Sequence, residues 1–437
     1  MLLRLLAPCS LLACLWLPAV ARADSPLTYE RYSLDNGLDV VLHVDRRLPL
    51  VAVDLAYHVG WAHDGSRRGL AHLVEHLMFR GTRDVEDGEH LLLLQERGAS
   101  NVNAHTDDDG TSYHALVPRD VLPLALWLEG NRMARVRLTR EHVEEELQTT
   151  IDEWESRVGS ELRGLSHEAL WNALFPEGHP FHRADPDDIR GLTLSDAQGF
   201  VESHYGPANA TLVLAGDLPA DVKAEVERAF GARRGGGAPA VLSPRRSLQG
   251  EQRIARRDAM STKPFVLIGW LTPGLFEPGD AEADVLAATL DGERLRTMAD
   301  RHAPGTILEL EMGQLSLSGQ SMFVFAAEGT SAATPQGMLA TLDAILDEVR
   351  AASLDPAAVV RTRKRLATGT LRAVQRVDQR ASIMQAYVAA GHEPDWLDED
   401  LARYAAVDVD AVAAFVREHL PRDRRVVVLS EAAEVGP

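Results

Sequence analysis

From Tyr29 onward the chain alternates two kinds of apolar pattern. Leu38–His43 and Leu50–Tyr57 are short, largely apolar and rich in β-branched residues, which predicts strands. Between Gly69 and Phe79 the apolar positions recur three and four apart, which predicts a helix. Long acidic amphipathic helices follow, and Ala210–Gly216, an unbroken apolar run ending in Gly216-Asp217, reads as a buried strand. Around Arg233-Arg-Gly-Gly-Gly-Ala-Pro239 the pattern stops, as expected of a linker. The second half repeats the order: a strand at Pro264–Trp270, a helix from about Ala281, a strand near Ser321–Ala326, further helices, and a closing strand at Arg425–Ser430. Two halves with one grammar predict a duplicated α/β unit, each a sheet backed by helices, over residues 24–232 and 248–437 with 233–247 between them.

The first 23 residues carry one early arginine (Arg4), an apolar stretch broken by Pro8 and Ser10, and Ala21-Arg22-Ala23 before Asp24. This predicts a signal peptide cleaved after Ala23 and hence a periplasmic or secreted product with no stable membrane span. An uncleaved anchor and a lipoprotein cut at Cys14 are the alternatives. Both cysteines, Cys9 and Cys14, lie in this segment, so a mature chain has neither thiolate ligands nor a cysteine nucleophile, and any metal must be held by His, Asp or Glu. The formal charge is −20, and −22 once Arg4 and Arg22 are removed, which disfavours nucleic acid and anionic membrane as partners.

Against that background His72-Leu-Val-Glu75-His76 carries the chemistry. At about 100° per residue, positions 72, 75 and 76 share one sector of a helix while Leu73, Val74 and Leu77 point elsewhere. Two imidazoles one turn apart can bind one zinc ion, and an adjacent uncoordinated carboxylate, Glu75, can take a proton from an attacking water. The arrangement is the inverzincin pattern H-x-x-E-H; read alone, it also fits a surface helix with two solvated histidines. A third ligand is expected from the acidic stretch beginning at Thr139, where Leu147, Ile151, Trp154 and Val158 form a core-facing stripe. Glu146 and Glu153 sit two turns apart beside that stripe, placed to be half buried, whereas Glu141, Glu144 and Glu155 read as a solvated face.

These residues, with Leu34-Asp-Asn-Gly-Leu38, Asn103-Ala-His-Thr106, Thr111, Tyr113, His179-Pro-Phe181 and the segment Tyr205–Asp217, resemble the pitrilysin and insulinase family, which includes the mitochondrial processing peptidases. The resemblance covers nearly the whole chain after residue 23. It implies an α+β protein of two homologous domains with antiparallel-rich mixed sheets, zinc as cofactor, His72, His76 and Glu153 as its ligands, Glu75 as catalytic base and Glu146 as a helper behind the ligands. It also implies that the strand around Asn101, Asn103 and Ala104 is an edge on which an extended peptide substrate pairs inside a closed chamber.

There is one departure. Active members carry an arginine and, seven residues later, a tyrosine in the second half; here the two registers give Asp300 with Ile307 or Arg301 with Leu308, and no tyrosine stands between Tyr205 and Tyr387. One carbonyl-stabilising donor is typically worth roughly 2–4 kcal/mol. Some bacterial members divide the work between two chains, so the expectation is a zinc-bearing subunit of a heterodimer, with a homologous partner supplying the Arg/Tyr pair. A non-catalytic peptide-binding or assembly subunit is the rival reading, and a zinc hydrolase of small amides a third.

Overall fold

The computed structural model describes residues 27–159, 163–237, 245–258, 261–352 and 354–432. The expected signal peptide, its cleavage site and the middle of the expected linker lie outside them. Six strands form the first sheet: β1 (Glu30–Ser33), β2 (Asp39–Val44), β3 (Leu50–Tyr57), β4 (Ser100–Thr106), β5 (Thr111–Pro118) and β6 (Ala210–Gly216), in the order β1-β2-β6-β3-β5-β4. The second sheet has β7 (Gln252–Asp258), β8 (Phe265–Pro273), β9 (Ile307–Leu315), β10 (Gln320–Gly329) and β11 (Val426–Ala432), ordered β7-β11-β8-β10-β9. Without β1 the two orders are the same. Each sheet has one parallel pair, β2 with β6 and β7 with β11, and is otherwise antiparallel. The architecture is therefore the α+β pair of antiparallel-rich mixed sheets, and the matching topology supports the duplication more directly than the sequence pattern does.

Both sheets are covered on both faces, which explains their central strands. Along β6, Leu212 and Leu214 face the core under the N-terminal helices, while Val213 and Ala215 face a second core with Ala381, Met384 and Tyr387 of the helix Val377–Ala389. In the second sheet, Val266, Ile268 and Trp270 of β8 face C-terminal helices. Phe265 and Leu267 instead face Leu170, Trp171 and Leu174 of the helix Gly164–Leu174. Each half thus lends one helix to the other half's sheet. A strand apolar at every position is what such two-sided burial requires.

Both described ends of the expected linker are packed. Gly237 N–H donates to Ser203 O at 3.0 Å on the first half. On the other side, Arg246 donates to the carbonyl of Ala173 at 2.6 Å, at the end of the exchanged helix.

Candidate metal centre

The motif lies on the helix Leu70–Leu77. Its inner face, Leu73, Val74 and Leu77, is fully buried in the N-terminal core, which turns His72, Glu75 and His76 outward toward the acidic helix Arg140–Trp154. The helix begins at Gly69, whose φ of +87° is a left-handed backbone, and a Cβ there would stand 3.1 Å from Ile189 and 3.2 Å from Ala184. In place of a hydroxyl cap, the buried carboxylate of Asp64 accepts from Gly69 N–H at 2.6 Å and Ala71 N–H at 2.8 Å. Burial lifts the Asp64 carboxyl to about 7 against the pull of those amides.

His72 Nε2 and His76 Nε2 lie 3.5 Å and 3.7 Å from the same oxygen, Oε2 of Glu153. Among the described residues these three form the one group of metal-ligating side chains whose donor atoms all fall within 4.8 Å of one another. Zinc bonds of roughly 2.0–2.2 Å in a tetrahedron separate donor atoms by about 3.4 Å, so the set fits a zinc ion. Burial, then the neighbouring His76, pushes His72 down to about 4, which leaves its imidazole neutral with a lone pair to give. Glu146 Oε2 is 2.9 Å from His76 Nδ1, which assigns the proton to Nδ1 and turns Nε2 toward Glu153. Arg80 in turn lies 3.4 Å from the other Glu146 oxygen.

Glu75 is not in the donor set. One of its oxygens accepts a hydrogen bond from the hydroxyl of Thr106, at the end of β4, and Thr106 is 3.4 Å from Thr111, whose hydroxyl donates to Val59 O at 2.8 Å. The acidic residue beside the histidines is therefore oriented from the adjacent strand, with its second oxygen uncommitted. Thr106 and Thr111 carry the family resemblance without a role of their own, as does Arg80 within the block 69–82 around the motif, and Asp64 stands outside those motifs. The one available signal for Asp64 was a carboxylate five residues ahead of a helix start.

Two expectations change. Glu146 and Glu153 are not both half buried: Glu146 is 8% exposed, while the Glu153 side chain is 51% exposed. Glu146 faces the motif helix in line with Val143 and Thr150, whereas Glu153 lies in the last turn before the chain widens into a π-type turn, Glu155–Gly159. Within the expected stripe, Ile151 and Val158 are buried and Leu147 and Trp154 only partly so. β4 is an edge strand of the first sheet, on which Asn101 and Asn103 are exposed, Ala104 is buried, and the Asn101 side chain donates to Asp378 at 2.9 Å. Asn101 also has φ of +51°, beside an irregularity in the β4–β5 register.

In the second half, Asp300 and Arg301 end the helix Gly292–His302, with Arg301 paired to Glu348, and Ile307 and Leu308 open β9. Neither register brings a phenol.

The model of the insulinase family, peptidase family M16, matches residues 39–181, and that of the peptidase M16 inactive domain matches residues 191–366. The chain is 24% identical to the zinc protease PqqE of Helicobacter pylori over 74% of each protein. Its fold matches the crystal structure of a protease from Helicobacter pylori with a TM-score of 0.84 at 20% identity, over 93% of this chain and all of the other. It also matches the periplasmic protease PqqL of Escherichia coli with a TM-score of 0.74 at 16% identity, over 94% of this chain. The chain spans 48% of that protein's chain, and 21–26% of the length of several other curated relatives. By its two matched domains and its fold, the chain belongs to the insulinase (M16) family of peptidases.

Proposed function

We propose that this chain is a zinc-dependent endopeptidase that cleaves extended, unfolded peptides, acting in the periplasm as the zinc-bearing subunit of a heterodimer. The observation that carries the reading is two imidazoles and a carboxylate at zinc spacing with a second carboxylate, Glu75, beside them and outside the donor set. His72, His76 and Glu153 would hold the ion, which when bound polarises a water molecule and the scissile carbonyl. Glu75, fixed through one oxygen by Thr106, accepts the proton of the attacking water and returns it to the departing amine nitrogen as the C–N bond breaks. Glu146 holds the His76 tautomer that leaves Nε2 free to ligate. The open edge of β4 offers backbone groups to a peptide of varied sequence, with Asn101 and Asn103 exposed there and Ala104 buried.

A partner chain follows from the missing phenol, since neither Asp300 with Ile307 nor Arg301 with Leu308 supplies it. That absence also favours the rival, a non-catalytic binding subunit. Export to the periplasm rests on the N-terminal pattern and on the resemblance to a periplasmic protease; among the described residues no helix is long and apolar enough to cross a membrane. The test is cleavage of peptides of roughly ten to thirty residues by the chain purified with whatever accompanies it, and again alone. Chelator-sensitive cleavage that needs a second chain of similar size is the expected result. Activity confined to small amides, or none in either preparation, would contradict it.

A further inference from the structure

Between the two halves lies a cavity of about 970 Å³. Its walls come from β3, β5 and residues 107–110 on one side, and from residues 275–278, 316–319 and the helix Val377–Ala389 on the other. Asp54, Asp107, Asp108 and Asp109 line it with five histidines, of which His105 pairs with Asp107 at 2.8 Å and His114 faces Asp54, and among the described lining residues there is no lysine or arginine. Glu277 is a fifth acid, already paired with Arg245.

Two of these carboxylates are buried without a cation. Asp54 is 3% exposed and is held by the hydroxyls of Ser112 at 2.8 Å and Ser382 at 3.4 Å. Asp108 is 5% exposed and accepts from Ser318 N–H at 2.8 Å. Burial pushes the Asp54 carboxyl up, and burial followed by the neighbouring Asp109 lifts Asp108 to about 7. Independently of the acids, Gln385 on the far wall is 6% exposed, and neither its amide oxygen nor its amide nitrogen has a partner. A buried amide with both atoms unpaired is costly, and a hydrogen-bonding ligand in the cavity relieves it.

The sign of the lining selects the ligand. Buried carboxylates are tolerable when a cation joins them, and a group with several N–H donors satisfies both them and the Gln385 oxygen. A second cleft of about 420 Å³ shares Asp54, His114 and Ser382 with this cavity and reaches Asn103 of β4. The cleft, also lined by Arg376 in its pair with Asp378, thus adjoins the cavity across Asp54, His114 and Ser382, next to the β4 edge. We propose that the cavity is a pocket for an ammonium or guanidinium group, supplied by a basic side chain of the peptide that pairs along β4. The cation pocket stands on the cavity alone; the peptide as its source rests on the peptidase reading.

The test uses the full chain carrying Glu75→Gln, so that binding is read without hydrolysis. Its probes are a labelled peptide of about a dozen residues with one arginine, the same peptide with neutral citrulline, and free agmatine. The arginine peptide is expected to bind on the order of tenfold more tightly. The gap closes with Asp108→Asn, which keeps the acceptor for Ser318, and agmatine competes only weakly. Gln385→Leu, which keeps the volume and removes the unpaired amide, gives the same comparison should the first variant not fold. Tight agmatine binding with equal peptide affinities would overturn the peptide as source; equal affinities with no agmatine binding would overturn the pocket itself. An arginine preference in binding, together with no cleavage by the unsubstituted chain even with its co-purifying partner present, would instead sink the peptidase reading and leave the pocket standing.

Discussion

A single oxygen, Oε2 of Glu153, lies within 3.7 Å of both motif histidines, and the residues behind them decide whether that geometry holds. Glu146 is the first of these. Glu146→Ala is expected to weaken zinc binding by roughly 10–100-fold, measured by competition with a chelator, because His76 loses the acceptor that fixes its tautomer. An unchanged affinity would show that His76 is held by its own helix. A second residue-scale prediction concerns acid stability. Glu129 is buried beside His90 and Arg132; burial works to raise its carboxyl, but the Arg132 guanidinium overrides this and holds it down to about 2, from an ordinary 4.5. Since the folded value is the lower, the stabilisation is fully present above about pH 4.5 and is lost as pH falls toward 2. Glu129→Gln should therefore flatten the decline of unfolding free energy across that window, while costing roughly 3–5 kcal/mol at neutral pH by leaving Arg132 unpaired. A decline of unaltered slope would assign acid sensitivity to other groups.

At the scale of the element, the motif helix depends on how it starts. Gly69→Ala forces a left-handed backbone on a residue with a side chain and drives its Cβ toward Ile189 and Ala184, at an expected cost of about 1–3 kcal/mol in urea unfolding. A loss below that range would mean that the helix start can shift. Which elements the sequence discloses follows from burial. Leu50–Tyr57 and Ala210–Gly216 are readable to the residue because helices cover both faces of their sheet. The outer strands β7 and β9 give no such run, since charged residues interrupt them, and β5 hides in an alternation of Tyr113, Ala115 and Val117 with Ser112, His114 and Leu116. The site divides in the same way. Helical periodicity brings out His72, Glu75, His76, Glu146 and Glu153, whose spacing is local to two helices. Asp64, Thr106 and Arg80 act across a loop, a strand and a helix pairing, distances that no single-element pattern encodes.

For the whole molecule, the exchanged helices bind the halves into one folding unit. Trp171, fully buried against the second sheet although its helix belongs to the first half, ties the two cores together. Trp171→Ala is expected to cost roughly 3–5 kcal/mol and to lower one common unfolding transition rather than separate a second one. The fragment 24–232 lacks the helix Val377–Ala389, leaves Val41, Ala52, Val213 and Ala215 uncovered, and should bind hydrophobic dyes instead of folding. Two separable transitions in the full chain would contradict the exchange as a source of stability. Everything proposed for the molecule depends on the metal centre and its base, and Glu75→Gln, assayed for bound zinc and for peptide hydrolysis in one preparation with any partner present, is their sharpest test. Zinc is expected to be retained at the unsubstituted level with hydrolysis lost by several orders of magnitude; hydrolysis that survives the substitution, or is absent before it, would contradict the assignment.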